Sequence, residues 1–142
     1  MIYFLQRADG AIKIGLTTNK RTLDSRIIVL DKQFDGIRLF GVIPGFIKHE
    51  RELHEKFSNY RIRMEPKRIG YTEWFFPYDE LTCYIQRFAT SNIMLCVRFQ
   101  LQRKKSDNLL EEWQDYVKSC TQFFNARTNL GRWSCGFSTF PH

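Results

Sequence analysis

Two short runs rich in β-branched and aromatic residues, Ile2–Gln6 and 11–16, flank the tripeptide Ala8-Asp9-Gly10, and they constrain the fold more than any other feature. Strand-length apolar runs around a turn signal form a β-hairpin. Over 23–34 the apolar residues Leu23, Ile27, Leu30 and Phe34 recur at steps of three and four, which is helical spacing. Thr22 or Asp24 can cap its start and Gly36 can end it. The segment 37–43 (IRLFGVI) alternates as a strand and stops at Pro44-Gly45, and a second helix is expected over about 47–57 from Ile47, Leu53 and Phe57. A loop over 58–72 follows, then the aromatic stretch Glu73-Trp74-Phe75-Phe76. Pro77 next opens a third helix through Leu81, Tyr84, Ile85 and Phe88. The expected class is α/β (α+β): a small, mainly antiparallel three-stranded sheet flanked by helices, with a helical C-terminal extension.

Thr90-Ser91-Asn92 marks a change of pattern, which divides the chain into a domain over 1–90 and an extension over 91–142. Within the extension, 93–101 satisfies the strand and helix periods equally, so both stay open. An amphipathic helix over about 107–126 is clearer: Leu109, Leu110, Trp113, Tyr116, Val117, Cys120, Phe123 and Phe124 trace a wide apolar stripe. Such a stripe must pack on something, either the first domain or a second copy in a homodimer. The last stretch, NLGRWSCGFSTFPH, carries no functional signal.

A net charge of +7 points to a polyanionic partner such as DNA or RNA, because phosphate contacts by Lys and Arg release condensed counterions. Cys83, Cys96, Cys120 and Cys135 form no C-x-x-C pair, which argues against a zinc ribbon or a thioredoxin-like site and for buried free thiols. The apolar start is broken by Arg7 and Asp9 and is too short for a signal segment or a membrane span, so no membrane partner and a cytoplasmic location are expected.

Met1-Ile2-Tyr3 in the first strand, Lys13-Ile14-Gly15 closing the second, Arg26-Ile27 with Leu30 on the first helix, and Glu50 followed by Leu53 and Phe57 stand in one order along the chain. In that order they resemble the GIY-YIG nuclease superfamily, whose first strand carries Gly-Ile-Tyr and whose second carries Tyr-Ile-Gly. Leu53-His54 and Glu73-Trp74-Phe75 are similar to one branch, typified by a phage T5 open reading frame, which tolerates Lys at the position of Lys13. The resemblance spans roughly residues 1–88. It implies metal-dependent cleavage or nicking of DNA, RNA being the less expected partner, with Tyr3, Lys13, Arg26, Glu50 and His54 as catalytic residues and Ile14, Gly15 and Trp74 as parts of the structural motif.

Phosphodiester hydrolysis needs a base for the attacking water, charge to offset the phosphorane, and stabilisation of the leaving oxygen. Tyr3 is implied as the base; a phenol titrates near 10, so Lys13 and Arg26 would have to favour the phenolate. The fork of Arg26 suits a phosphate, and Arg21 is its rival for that role. Glu50 is implied as the ligand of a single Mg²⁺ or Mn²⁺. His54 lies one turn beyond Glu50 and either supports that carboxylate or is a hydrogen-bonded packing residue. His49-Glu50 and His54 do not form a zinc-protease motif, since five helical steps turn roughly 140° and separate the imidazoles. Arg21, Arg61, Arg63, Lys67, Arg68, Arg103, Lys104 and Lys105 are candidate DNA contacts, against the alternative of solvated surface. The competing functional expectations are a non-cutting binding module on the same scaffold and an interaction protein acting through the C-terminal helix.

Overall fold

The computed structural model describes residues 1–34, 36–63, 73–103 and 107–127, with side chains up to residue 120. Strands β1 (Ile2–Gln6) and β2 (Ile12–Leu16) form the expected hairpin, with Tyr3 opposite Gly15 and Leu5 opposite Lys13. Its turn holds because Asp9 Oδ1 accepts a hydrogen bond from the Ala11 amide at 3.1 Å and Gly10 takes φ 90°, a left-handed conformation that costs glycine little. Strand β3 (Arg38–Ile43) pairs antiparallel with β1. A fourth strand, β4 (Trp74–Phe75), pairs antiparallel with β2, so among the described residues the sheet has four strands in the order β3-β1-β2-β4, one more than the sequence suggests. Two residues are too few for alternation to be visible as a pattern.

Strand alternation sorts the side chains into two cores. Tyr3, Leu5, Val42 and Trp74 face one side with Leu23 and Leu30 of α1 (Lys20–Phe34). Ile2, Phe4, Ile12, Ile14, Ile43 and Phe75 face the other, where Leu53 of α2 (Ile47–Lys56) and Leu81 and Ile85 of α3 (Asp79–Phe88) cover them. Burial of each such side chain stabilises the fold by about 1.5–3 kcal/mol, so Leu23 and Leu30, two turns apart, suffice to hold α1 on the sheet. Helix α1 starts earlier than its apolar spacing implies, because Asn19 Oδ1 accepts from the Thr22 amide at 2.9 Å and caps it in place of Thr22 or Asp24.

The ambiguous stretch after Asn92 is helical: α4 (Ile93–Gln102) is capped by Asn92, whose Oδ1 accepts from the Leu95 amide at 3.0 Å. Helix α5 (Leu109–Arg127) follows. Cys96 and Phe99 of α4 and Leu109 and Trp113 of α5 are buried in the same core as Tyr3, so both helices dock on the sheet of this chain. Trp113 Nε1 donates to the Phe88 carbonyl at 2.8 Å, which ties α5 to the end of α3. Of the thiols expected to be buried, Cys96 is; Cys83 is exposed, since Leu81 and Ile85 turn the other face of α3 to the sheet, and Cys120 is half-buried. Cys135 lies outside the described residues. Among the described residues no helix is long and apolar enough to cross a membrane.

Candidate active site

Tyr3 sits on the face of the sheet that α1 covers, and its cross-strand neighbour Gly15 explains why the ring can lie there. A Cβ at position 15 would stand 2.9 Å from Tyr3 Cε2 and closer still to Cζ and Oη. The tyrosine therefore lies flat across a residue that has no side chain to obstruct it. Arg26 reaches down from α1: its Nη1 donates to Tyr3 Oη at 3.1 Å and to the Leu16 carbonyl at 2.7 Å. Among the described residues its Nη2 and Nε make no hydrogen bond, which leaves donors for an anion. Arg21, the rival, is exposed on the same helix and contributes only its carbonyl, to Ser25.

Lys13 lies on the same face, two residues from Gly15, and is only 4% exposed. Its Nζ is 2.5 Å from Glu73 Oε2 and 5.7 Å from the centroid of the Trp74 ring. Tyr3, Lys13, Arg26 and Glu73 line one pocket of about 460 Å³, together with Thr22, Ser25, Val29 and Leu30 of α1. That volume is within the range of small-ligand clefts and ample for one phosphodiester linkage. Thr22 and Val29 flank Arg26 at helical spacing, so their place was open to periodicity arguments. Glu73 was not, because its partner is far away in the chain.

The expected bias of Tyr3 toward phenolate is not met. Burial pushes the phenol above its ordinary value near 10; the hydrogen bond and charge of Arg26 oppose that rise, while Glu73 and Glu50 reinforce it. Desolvation wins because the ring is 1% exposed, and the ammonium of Lys13, expected to help, is matched by Glu73. Tyr3 is thus a phenol at neutral pH, with a guanidinium donating to its oxygen.

Glu50 does not line this pocket. It is half-buried in the first turn of α2, on the layer opposite α1, at the end of the sheet where β1 begins, and its charge acts on both Tyr3 and the Met1 amine. Among the described residues no group of three or more His, Cys, Asp or Glu side chains could enclose a metal. A lone carboxylate does fit a largely hydrated Mg²⁺ or Mn²⁺ whose remaining sites are filled by water and phosphate. His54 is not in the pocket either: its Nε2 is 3.1 Å from the Ile14 carbonyl and its ring lies 5.5 Å from Phe75, a hydrogen-bonded packing position on the far face.

Trp74 packs edge-on against Phe34 of α1 at 5.1 Å, while its neighbour Phe75 turns to the α3 face, as strand alternation requires. Arg61 lies over the Phe75 ring at 5.7 Å, Arg63 is exposed, and Arg103 is 3.3 Å from Glu112 across the start of α5. Lys67, Arg68, Lys104 and Lys105 lie outside the described residues.

The sequence model of one family, described as the T5orf172 domain, matches residues 1–89. Nothing matches among the curated proteins or among the solved structures.

Proposed function

The chain belongs to the T5orf172 domain family, a phage-derived domain related to the GIY-YIG-like nucleases, and from that premise we propose that it is a divalent-metal-dependent endonuclease that cleaves or nicks DNA. At the coarser level of a nuclease-like or DNA-binding module the family itself carries the statement. The single observation supporting the finer reading is the convergence of Tyr3, Arg26 and Lys13 on one pocket, the first two joined by a 3.1 Å hydrogen bond.

In this reading Arg26 offers its unbonded donors to the non-bridging oxygens of the scissile phosphate, where charge grows as the phosphorane forms. Tyr3 Oη orients the attacking water and, as phenolate, takes its proton. The water oxygen bonds to phosphorus as the P–O3′ bond breaks, and the departing 3′ oxygen takes a proton from solvent, leaving a 5′-phosphate and a 3′-hydroxyl. Arg26 has a second task, since its bond to Oη favours the phenolate that burial opposes. Glu50 would hold the Mg²⁺ or Mn²⁺, which supplies Lewis-acid stabilisation of the phosphoryl oxygens.

One observation favours a second reading, a module that grips nucleic acid without cutting it: the phenol that would serve as base is held protonated at neutral pH. Supercoiled plasmid with Mg²⁺ or Mn²⁺ separates the two. The nuclease reading expects nicking by the native chain, lost in Glu50→Ala and Arg26→Ala; retarded DNA without nicking at any pH supports the binding module.

A further inference from the structure

Lys13 is a cation taken almost wholly out of water, which a protein tolerates only when a counter-charge is fixed beside it. Glu73 is fixed there by its backbone as well as its carboxylate. The Glu73 carbonyl accepts from the Ile14 amide at 3.2 Å, and the next residue, Trp74, pairs with Lys13 across β2 and β4. The carboxylate is 36% exposed and lines the pocket, whereas the lysine side chain is 5% exposed and held from behind by the Trp74 ring. One group of this pair is free to exchange with solvent and the other is anchored.

We propose that Glu73 is a positioning residue for DNA cleavage: its carboxylate holds the Lys13 ammonium on the pocket wall beside Tyr3, aimed at the scissile phosphate. The inference rests on the nuclease reading for its reaction but not for its geometry. With the pair intact the wall adds no net charge, so Arg26 supplies the attraction and Lys13 supplies direction. A lysine stem has four rotatable bonds and makes a poor phosphate clamp unless something fixes its head. A purely structural ion pair would instead affect folding and leave the split between binding and rate untouched.

The test compares wild type with Glu73→Ala, Glu73→Gln, Lys13→Met and the double variant Lys13→Met/Glu73→Ala. Duplex affinity is measured in chelator and single-turnover plasmid nicking with Mn²⁺. Misplacing a reacting group by an ångström costs about 100-fold in rate, so Glu73→Ala is expected to nick about 100-fold more slowly while binding duplex at least as tightly as wild type, since the ammonium left behind is no longer neutralised. Glu73→Gln, whose amide oxygen still accepts from Nζ, recovers most of that rate. Lys13→Met leaves Glu73 unpaired against the phosphate and is expected to bind about tenfold more weakly. The double variant recovers that affinity and nicks no more slowly than Lys13→Met, the non-additivity of two residues acting as a unit.

Multiplying effects of Lys13→Met and Glu73→Ala, or equal losses in Glu73→Ala and Glu73→Gln, would overturn the proposal. If the native chain binds duplex and never nicks, the nuclease reading falls and positioning for cleavage falls with it; the affinity arm then still decides whether the two residues act as a unit, since a double variant as weak as Lys13→Met rejects the pairing too.

Discussion

Substituting alanine for Gly15 adds one methyl group, and the cost of that methyl can be worked out from its surroundings. The new Cβ would stand 2.9 Å from Tyr3 Cε2 and closer to Cζ and Oη, well inside the 3.5–4.0 Å at which carbon atoms attract. Gly15 is in a regular strand, so no backbone penalty is added. The ring has little room to yield, being 1% exposed and tied to Arg26 at 3.1 Å. Overpacking of this kind costs about 1–3 kcal/mol. Losing the Arg26 bond adds roughly 1 kcal/mol, for a total of about 2–4 kcal/mol. Urea unfolding with an unchanged slope measures it, and plasmid nicking should fall with the displaced phenol. Tyr3→Ala removes the obstruction, so Gly15→Ala in that background should cost little. Tyr3→Phe should not relieve it, because Cζ and Cε2 remain. A Gly15→Ala protein within about 0.5 kcal/mol of wild type, nicking normally, would refute the proposed apposition of ring and glycine.

Because the folded chain holds Tyr3 above its ordinary value near 10, the phenolate fraction at neutral pH is small and grows about tenfold per pH unit. Nicking rates should climb in that proportion between about pH 7 and 9 with no plateau below about 10, and Tyr3→Phe should abolish the climb. Burial pushes the Cys96 thiol up from 9.0 to about 12, so the unfolded chain gives up that proton first. Its contribution to stability is intact below about pH 9 and is lost as pH rises toward 12, by about 1.4 kcal/mol per unit, and denaturant titrations of Cys96→Ala should show a shallower decline. Trp113→Ala removes a fully buried indole and its bond to the Phe88 carbonyl, and is expected to cost about 3–5 kcal/mol in thermal or urea unfolding. Folded at low temperature, that variant should nick at the wild-type rate, since Trp113 lines no part of the pocket.

The parts of the fold legible in the sequence are those set by local period. The hairpin follows from two apolar runs and a turn, and once it exists the apposition of Tyr3 and Gly15 is fixed by register. The reach of Arg26 over that pair depends on helix phase, which Leu23, Ile27 and Leu30 display. Less legible was anything set by contacts distant along the chain. Glu73 meets Lys13 across sixty residues, through a strand of two residues that no periodicity can reveal. The stretch after Asn92 is apolar on several sides and fits two periods; its helix is decided by the cap and by the antiparallel bridge between Val42 and Thr90 that orients its start. Helical spacing puts His54 on the face of Glu50, yet only packing shows that the imidazole meets the Ile14 carbonyl. The phenol's resistance to ionisation needed burial, which residue letters do not carry.

Crystals of Tyr3→Phe soaked or grown with a DNA duplex and Mn²⁺, phased to give the anomalous signal of the metal, address the site most directly. The expected result is a backbone phosphate hydrogen-bonded to Arg26 over residue 3 and a manganese peak at the Glu50 carboxylate. A duplex bound on another surface, with manganese absent from Glu50, would contradict it.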